Sequence, residues 1–338
     1  MDTLAQTARA LVAPGKGILA ADESIGTMSK RLEAAGVPAN PETRRAYRDL
    51  LVTTPGLTES ISGVILCDET LRQSVAGGPP FPQACAARGI LPGIKVDTGA
   101  KPLAGRPGET VTEGLDGLRE RLSEYARMGA AFAKWRGVIT IAEQLPTPAC
   151  VAANAHALAR YAALCQEAGI VPIVEPEVLM DGEHTIERCA AVSTETLQTV
   201  FAQLIEQGVA LEGVVLKPNM IVAGKGHGEQ PSAEEVAAAT VGVMRRTVPA
   251  AVPGIAFLSG GQPPTVATVH LQALQQLGPQ PWALTFSYGR ALVDPALAAW
   301  RGDAGNVGAA QDALAHRARC NAAAAAGRYS RELEPAAA

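Results

Sequence analysis

The sequence is short of charge, of aromatic rings and, above all, of lysine. Charged residues make up 18% and aromatic residues 4% of its 338 positions, while 47% are apolar. So low a charge with so much apolar material excludes a disordered chain and predicts a large buried core. There is no positive excess: 29 Lys and Arg face 33 Asp and Glu, for a net charge of -4. A field of that sign does not condense on phosphate backbones, and nucleic acid is excluded as a main partner. No C-x-x-C pair occurs among the six cysteines, and the five histidines (156, 184, 227, 270, 316) show no ligand spacing. The reading is therefore no metal, no cofactor, and reduced core thiols in a reducing cytoplasm.

Other absences close the membrane question. The opening MDTLAQTARALVAPGKG has no basic n-region ahead of a long apolar stretch, so it reads as a short amphipathic helix rather than a secretory signal. Thr247 to Gly289 contains no Asp, Glu, Lys or Arg, but Pro249, Pro253, Pro263, Pro264, Pro279 and Pro281 interrupt it before a bilayer could be crossed. It reads as buried barrel material. No Ser- or Gly-rich linker cuts the chain, and no short repeat is visible, so one domain over 1-338 is expected.

What is present is an alternation. Eight short apolar runs, GILAAD, SGVILCD, GIKVD, FAKWRGVI, VPIVEPEV, GVVLKPN, IAFLSGG and ALTFSYGR, are separated by segments whose apolar residues recur at three and four. Continuous apolar strands between helices imply a parallel sheet covered by helices, and eight such units close into a single (β/α)8 TIM barrel, an α/β fold. An open doubly wound sheet is the competing architecture, but no G-x-G-x-x-G follows the first run. The expected barrel core is about residues 16-300, with a C-terminal helix and short tail over about 304-338. From Asn321, NAAAAAGRYSRELEPAAA reads as a partly mobile tail after the last helix.

Active sites of such barrels lie at the C-terminal ends of the strands, so polar residues late in the runs are the candidates. They are Asp22, Lys95, Lys134, Arg136, Glu175, Glu177 and Lys217. Only seven lysines stand against 22 arginines, yet three of the seven interrupt or cap apolar runs. An ordinary buried ion pair would accept Arg as readily. Lysine alone can lose its proton and, as the free amine, attack a ketone to form a Schiff base. Lys217, in the most apolar run, suits that role, with Lys134 as the cation that disfavours its charging. Glu175 and Glu177, two apart on one strand, face the same way, and crowding is expected to raise one carboxyl's pKa for proton transfer. Two carboxylates merely salt-bridged to lysines is the plainer reading of the same pair. Gly260, Gly261 and Gly289 with Ser259 and Arg290, after the last two strands, match the habitual phosphate position of the fold.

The residues GKGILAADES, GGPPFPQ, GIKVDTG, PLAG, GLDGL, FAKWR, GIVPIVEPE, LKPNM, RRTVP, FLSGGQ, PWALTFSYGRAL and AAW, in that order, strongly resemble class I fructose-1,6-bisphosphate aldolase from about Lys16 to Tyr329. The resemblance implies a metal-independent lyase, usually a homotetramer, acting on a phosphosugar. Its reaction is cleavage of fructose 1,6-bisphosphate to dihydroxyacetone phosphate and glyceraldehyde 3-phosphate. It further implies that Lys217 forms the Schiff base and that Glu175 transfers protons, held by Glu177 and Lys134. Asp22 then handles the C4 hydroxyl, and Ser259, Gly260, Gly289 and Arg290 hold the phosphate on C1. Ser24, Thr27 and Lys95 lie near the other phosphate, with Arg31 close by and Arg136 among the substrate contacts. Thr27 stands where serine is common in the family.

One departure is the C-terminus: animal members end in a tail with a terminal tyrosine, whereas this chain ends in Glu334, Pro335 and three alanines. Tyr329 precedes that tail and is not given the tyrosine's role. Three other readings stay open at this point. They are a Schiff-base aldolase acting on sedoheptulose bisphosphate, a phosphosugar isomerase using Glu175 as base, and an inactive phosphosugar-binding scaffold. The charged stretches RRAYRDLL and RERLSEYARM read as solvated helix faces rather than an interface.

Overall fold

All eight apolar runs become strands, and the strands close on one another. The structure, a computed structural model, describes residues 2–334. Its strands are β1 (Gly17–Ala21), β2 (Ile61–Leu66), β3 (Leu91–Lys95), β4 (Gly99–Pro102), β5 (Thr110–Glu113), β6 (Phe132–Ile139), β7 (Val171–Val178), β8 (Val215–Leu216), β9 (Gly254–Phe257) and β10 (Ala283–Tyr288). Eight of them form a closed parallel barrel in the order β1-β10-β9-β8-β7-β6-β3-β2. The (β/α)8 barrel read from the sequence is the fold observed.

The helices begin where their sequences allow. Asn40 and Ser232 close capping boxes with Thr43 and Glu235, satisfying backbone N–H groups at the starts of Pro41–Val52 and Ala233–Thr247. Thr147 caps Pro148–Glu167, whose proline at the first turn needs no N–H partner. One apolar face of each helix then packs on the sheet. The barrel interior is a separate, smaller cluster of Ile18, Ala20, Ile65, Phe132, Val171, Ile173, Val215 and Ala256, closed at one end by Ala8, Leu11 and Val12 of the N-terminal region. The Phe132 ring fits there because β3 carries Gly93, where a Cβ would lie 2.3 Å from it.

Two expectations need correction, and one element was not foreseen. β4 and β5 form an antiparallel hairpin that hydrophobic pattern does not reveal, because each strand has only four residues and Val111 and Ala100 are their only apolar non-proline side chains. The stretch RRAYRDLL is not a solvated face: Tyr47 and Arg48 are buried, Arg44 pairs with Glu69 at 2.7 Å, and Arg48 with Glu23 at 2.8 Å. The other, RERLSEYARM, does present a solvated charged face, with Arg119 63% exposed and the Arg72–Glu124 pair 42% exposed on each side, while Leu122 and Tyr125 face inward. The supposed tail is mostly ordered. Helix Val307–Ala325 contains its first residues, and Tyr329 and Glu334 pack back on that helix, where both Glu334 oxygens lie 2.6 Å from Arg317. Pro335 and the three alanines lie outside the described residues.

Among the described residues no helix is long and apolar enough to cross a membrane. The Thr247–Gly289 stretch is divided instead among β9, β10 and the helix Pro264–Gln276.

Candidate active site

Parallel strands deliver their C-terminal ends to one rim, and the candidates gather there around a cavity of about 430 Å³. Asp22 follows β1, Lys95 ends β3, and Lys134 and Arg136 share a face of β6. Glu175 and Glu177 share a face of β7, and Lys217 follows β8. Ser24, Thr27, Arg31, Ser259, Gly260, Gly289 and Arg290 also line it, so of the residues singled out from the sequence only Gly261 stands outside the lining of this one cavity. Register explains part of the gathering: in the β6–β7 pair Arg136 is opposite Glu175, and in the β3–β6 pair Lys95 is opposite Lys134. Lys217 is placed by its own backbone, whose N–H donates to Val174 O at 2.8 Å.

At the floor four buried charges form a chain. Lys134 Nζ lies 2.6 Å from Asp22 Oδ2 and 3.2 Å from Glu175 Oε2, and Lys217 Nζ lies 3.2 Å from Glu175 Oε1. All four residues are less than a tenth exposed. Burial pushes the Lys217 amine below the ordinary lysine range; Glu175 opposes this and the Lys134 charge adds to it. Lys134 goes the other way, because Asp22, Glu175 and Asp97 more than offset its burial. Asp22 and Glu175 would be raised by burial, but the lysines beside them hold both carboxyls below their ordinary values.

That last result corrects the expected carboxylate pair. Glu177 does not crowd Glu175, because it forms its own ion pair with Arg136 at 2.5 Å. Glu175 is consequently ionised between two amines rather than protonated beside a second acid. Its Oε2 is buried and makes no hydrogen bond, with the Lys134 ammonium 3.2 Å away as its ionic partner.

The rim carries positive charge and exposed backbone N–H groups. Gly289 precedes the helix Arg290–Trp300 and Ser24 caps the helix Ile25–Ala34, so two helix N-termini border the cavity. Gly260 and Gly261 have φ of +58° and +90°, conformations glycine adopts freely, and a Cβ on Gly261 would lie 2.9 Å from Arg290 Nη2. Lys95 is held at 2.5 Å by Asp97 Oδ1. Arg31 is ion-paired to Glu23 and Asp294, so its guanidinium is already partnered on the helix side of the cavity.

Sequence reasoning missed several participants. Thr98 and Ala100, at the start of the hairpin, line the cavity, as do Val138 and Leu258. The turn residues Pro102, Gly105, Pro107 and Gly108 were the available sign of that hairpin. Ser287, late in β10, also lines the cavity with its hydroxyl buried and unpartnered. Another correction concerns the histidines: His316 and Cys320 are four apart on one helix, which is ligand spacing, and Glu334 converges on them.

Residues 3–338 match the family model described as fructose-bisphosphate aldolase class-I. A probable fructose-bisphosphate aldolase class 1 of Xanthomonas campestris pv. campestris is 57% identical over 330 residues, covering 97% of this chain and 99% of the relative. Fructose-bisphosphate aldolase C of Rattus norvegicus is 51% identical, over 96% and 90%. Among solved structures, fructose-bisphosphate aldolase from Plasmodium falciparum, in complex with TRAP and a small-molecule inhibitor, superposes with a TM-score of 0.96 at 48% identity. That alignment covers 97% of this chain and 95% of the other.

Proposed function

The chain belongs to the class I fructose-bisphosphate aldolase family, and from that premise we propose how its own residues divide the work of cleaving fructose 1,6-bisphosphate to dihydroxyacetone phosphate and glyceraldehyde 3-phosphate. The enzyme is an aldehyde-lyase of glycolysis and gluconeogenesis. The observation that carries the division of roles is the buried chain Lys217, Glu175, Lys134, Asp22.

Lys217, held below the ordinary lysine range, supplies the neutral amine that attacks the C2 carbonyl. Glu175 receives a proton from the attacking nitrogen and returns it to the C2 oxygen, and a second proton taken up from solvent lets that oxygen leave as water; an iminium ion remains, and its later hydrolysis releases the borrowed proton. Asp22, ionised beside Lys134, accepts the C4 hydroxyl proton as the C3–C4 bond breaks. The bond's electrons run into the iminium nitrogen, giving an enamine and free glyceraldehyde 3-phosphate. Proton return to C3 and hydrolysis of the imine release dihydroxyacetone phosphate and restore Lys217. Lys134 keeps both carboxylates ionised and Arg136 fixes Glu177 at the edge of the floor.

The phosphate on C1 is assigned to Ser259, Gly260, Gly289 and Arg290, and the other to Ser24, Thr27 and Lys95, with Arg31 and Arg136 beside it. One rim that gathers two groups of phosphate-binding candidates and one buried amine suits a ketose bisphosphate. The assignment takes the chain as one domain, a homotetramer in the cytoplasm, with the continuous hydrophobic cluster around the barrel supporting the single domain. Sedimentation of the purified protein checks the assembly.

Borohydride added during turnover tests the central role. It should reduce the imine and leave a stable adduct on the peptide containing Lys217, with parallel loss of activity. Product release without any adduct at that position would overturn the assignment.

A further inference from the structure

On the outer layer of the barrel, away from the cavity already described, His316, Cys320 and Glu334 bring one nitrogen, one sulfur and one carboxylate oxygen within 4.8 Å of one another. His316 and Cys320 are one helical turn apart in Val307–Ala325, so both project from the same face. Glu334 reaches them from the segment after Arg331–Leu333. The separations are specific: His316 Nε2 to Glu334 Oε2 is 3.4 Å and His316 Nε2 to Cys320 Sγ is 3.6 Å. Tetrahedral zinc, with bonds of about 2.0–2.1 Å to nitrogen and oxygen and about 2.3 Å to sulfur, has edges of roughly 3.4 Å and 3.6 Å for those pairs. The geometry points to a zinc-type divalent cation site of these three side chains, with water in the fourth position, that fastens the C-terminal segment to the terminal helix.

The surroundings suit a cation. Cys320 is buried, His316 is about a quarter exposed, and Glu334 borders a surface cavity, which leaves a way in. Arg317 Nη1 donates to both Glu334 oxygens at 2.6 Å, and Tyr329 Oη donates to Oε1 at 2.8 Å. A carboxylate offers about four lone-pair positions, so Oε2 keeps one for a metal while Arg317 and Tyr329 orient the group as outer partners. The thiolate and carboxylate charges together offset the dication, and the thiol proton is released on binding. Without metal, the same three groups form a weak cluster holding the tail through Glu334 and a long contact from Cys320 Sγ to Leu333 O at 3.9 Å.

Cobalt(II) reads thiolate ligation directly, so the probes are Zn²⁺ and Co²⁺ added to the full-length protein. One equivalent of Co²⁺ should give a near-ultraviolet thiolate-to-cobalt band with the intense visible bands of a tetrahedral ion, and Zn²⁺ should displace it. Cys320→Ser should lose the near-ultraviolet band, and His316→Asn should bind at least about tenfold more weakly. Zn²⁺ should raise the Tm of the wild-type protein and not that of either variant. Circular dichroism checks that both variants fold. A cobalt band that persists in Cys320→Ser, or zinc affinity unchanged by His316→Asn, would overturn the site. So would no binding to a wild-type protein shown to be fully reduced.

Discussion

Glu175 Oε1 lies 3.2 Å from Lys217 Nζ, and the other oxygen of the same carboxylate lies 3.2 Å from Lys134. A single buried acid thus stands between two amines whose protonation preferences burial and neighbouring charge have driven apart. Lys217 is pushed toward the free base and Lys134 toward the ammonium ion. The proposed assignment makes the first the nucleophile and the second its electrostatic support, with Glu175 exchanging protons with the chemistry at the first while the second keeps it ionised.

Lys217→Arg keeps the charge and approximate length but cannot form an imine. Its turnover should fall to background, a loss of at least about 10⁴-fold given how much nucleophilic catalysis contributes to such enzymes. Coupled assay of triose phosphate checks it. Substantial residual activity would favour an isomerase-like role in which the lysine is only a cation.

Replacing Lys134 by Met removes a charge that lowers the Lys217 pKa, so the Lys217 pKa should rise. Because attack needs the neutral amine, the acid limb of kcat/KM should move to higher pH, along with a fall of about 10²-fold or more near neutrality. A lowered rate with an unmoved acid limb would show that Lys134 does not tune Lys217.

Asp22 gives a stability signature of definite sign. Its folded pKa is depressed, so the stabilisation from its ionisation is complete above the unfolded value of about 3.9 and disappears as pH falls through the lower folded value. The Tm difference between wild type and Asp22→Asn, followed from pH 6 to pH 3, should therefore shift against the wild type only at the acidic end. A difference that is flat across this range would mean that Lys134 does not favour the ionised form.

Arg290→Ala should lower kcat/KM for fructose 1,6-bisphosphate about 10- to 100-fold, the worth of a charge-assisted hydrogen bond to phosphate. The same loss is expected with fructose 1-phosphate, which retains the C1 phosphate. If fructose 1-phosphate were unaffected, the C1 phosphate would have to sit elsewhere.

Deleting residues 332 to 338 should leave cleavage nearly intact at 25 °C, because none of the described residues among them, 332 to 334, lines the cavity. The deletion removes Glu334 and strands the buried Arg317, so it should cost about 1–3 kcal/mol, less than a fully enclosed pair because Glu334 is partly exposed. Thermal melts and turnover measured on the same preparation separate the two effects. Collapse of turnover with an unchanged Tm would put the tail in the chemistry.

The barrel was legible in the sequence because parallel strands buried on both faces must be apolar throughout, so charges inside them stand out. Lys134, Glu175 and Lys217 are visible for that reason, and the Lys-for-Arg economy adds chemical meaning. The β4–β5 hairpin was not legible, since strands of four residues are too short to leave a periodic trace. Nor was the ionisation of Glu175: its neighbour in sequence, Glu177, is occupied by Arg136, and the groups that set its charge come from β6 and β8.

Local order alone determined the eight barrel strands, the helices between them and which polar groups end up at the barrel rim, because hydrophobic period and capping act over a few residues. Pairing across the barrel was decided only by closure of the sheet. Asp22 meets Lys134, Lys217 shares Glu175, and Glu334 returns to His316 and Cys320 because strand order and helix packing bring distant segments within a few ångströms. Coulombic and desolvation energies depend on those distances, and chain order does not encode them.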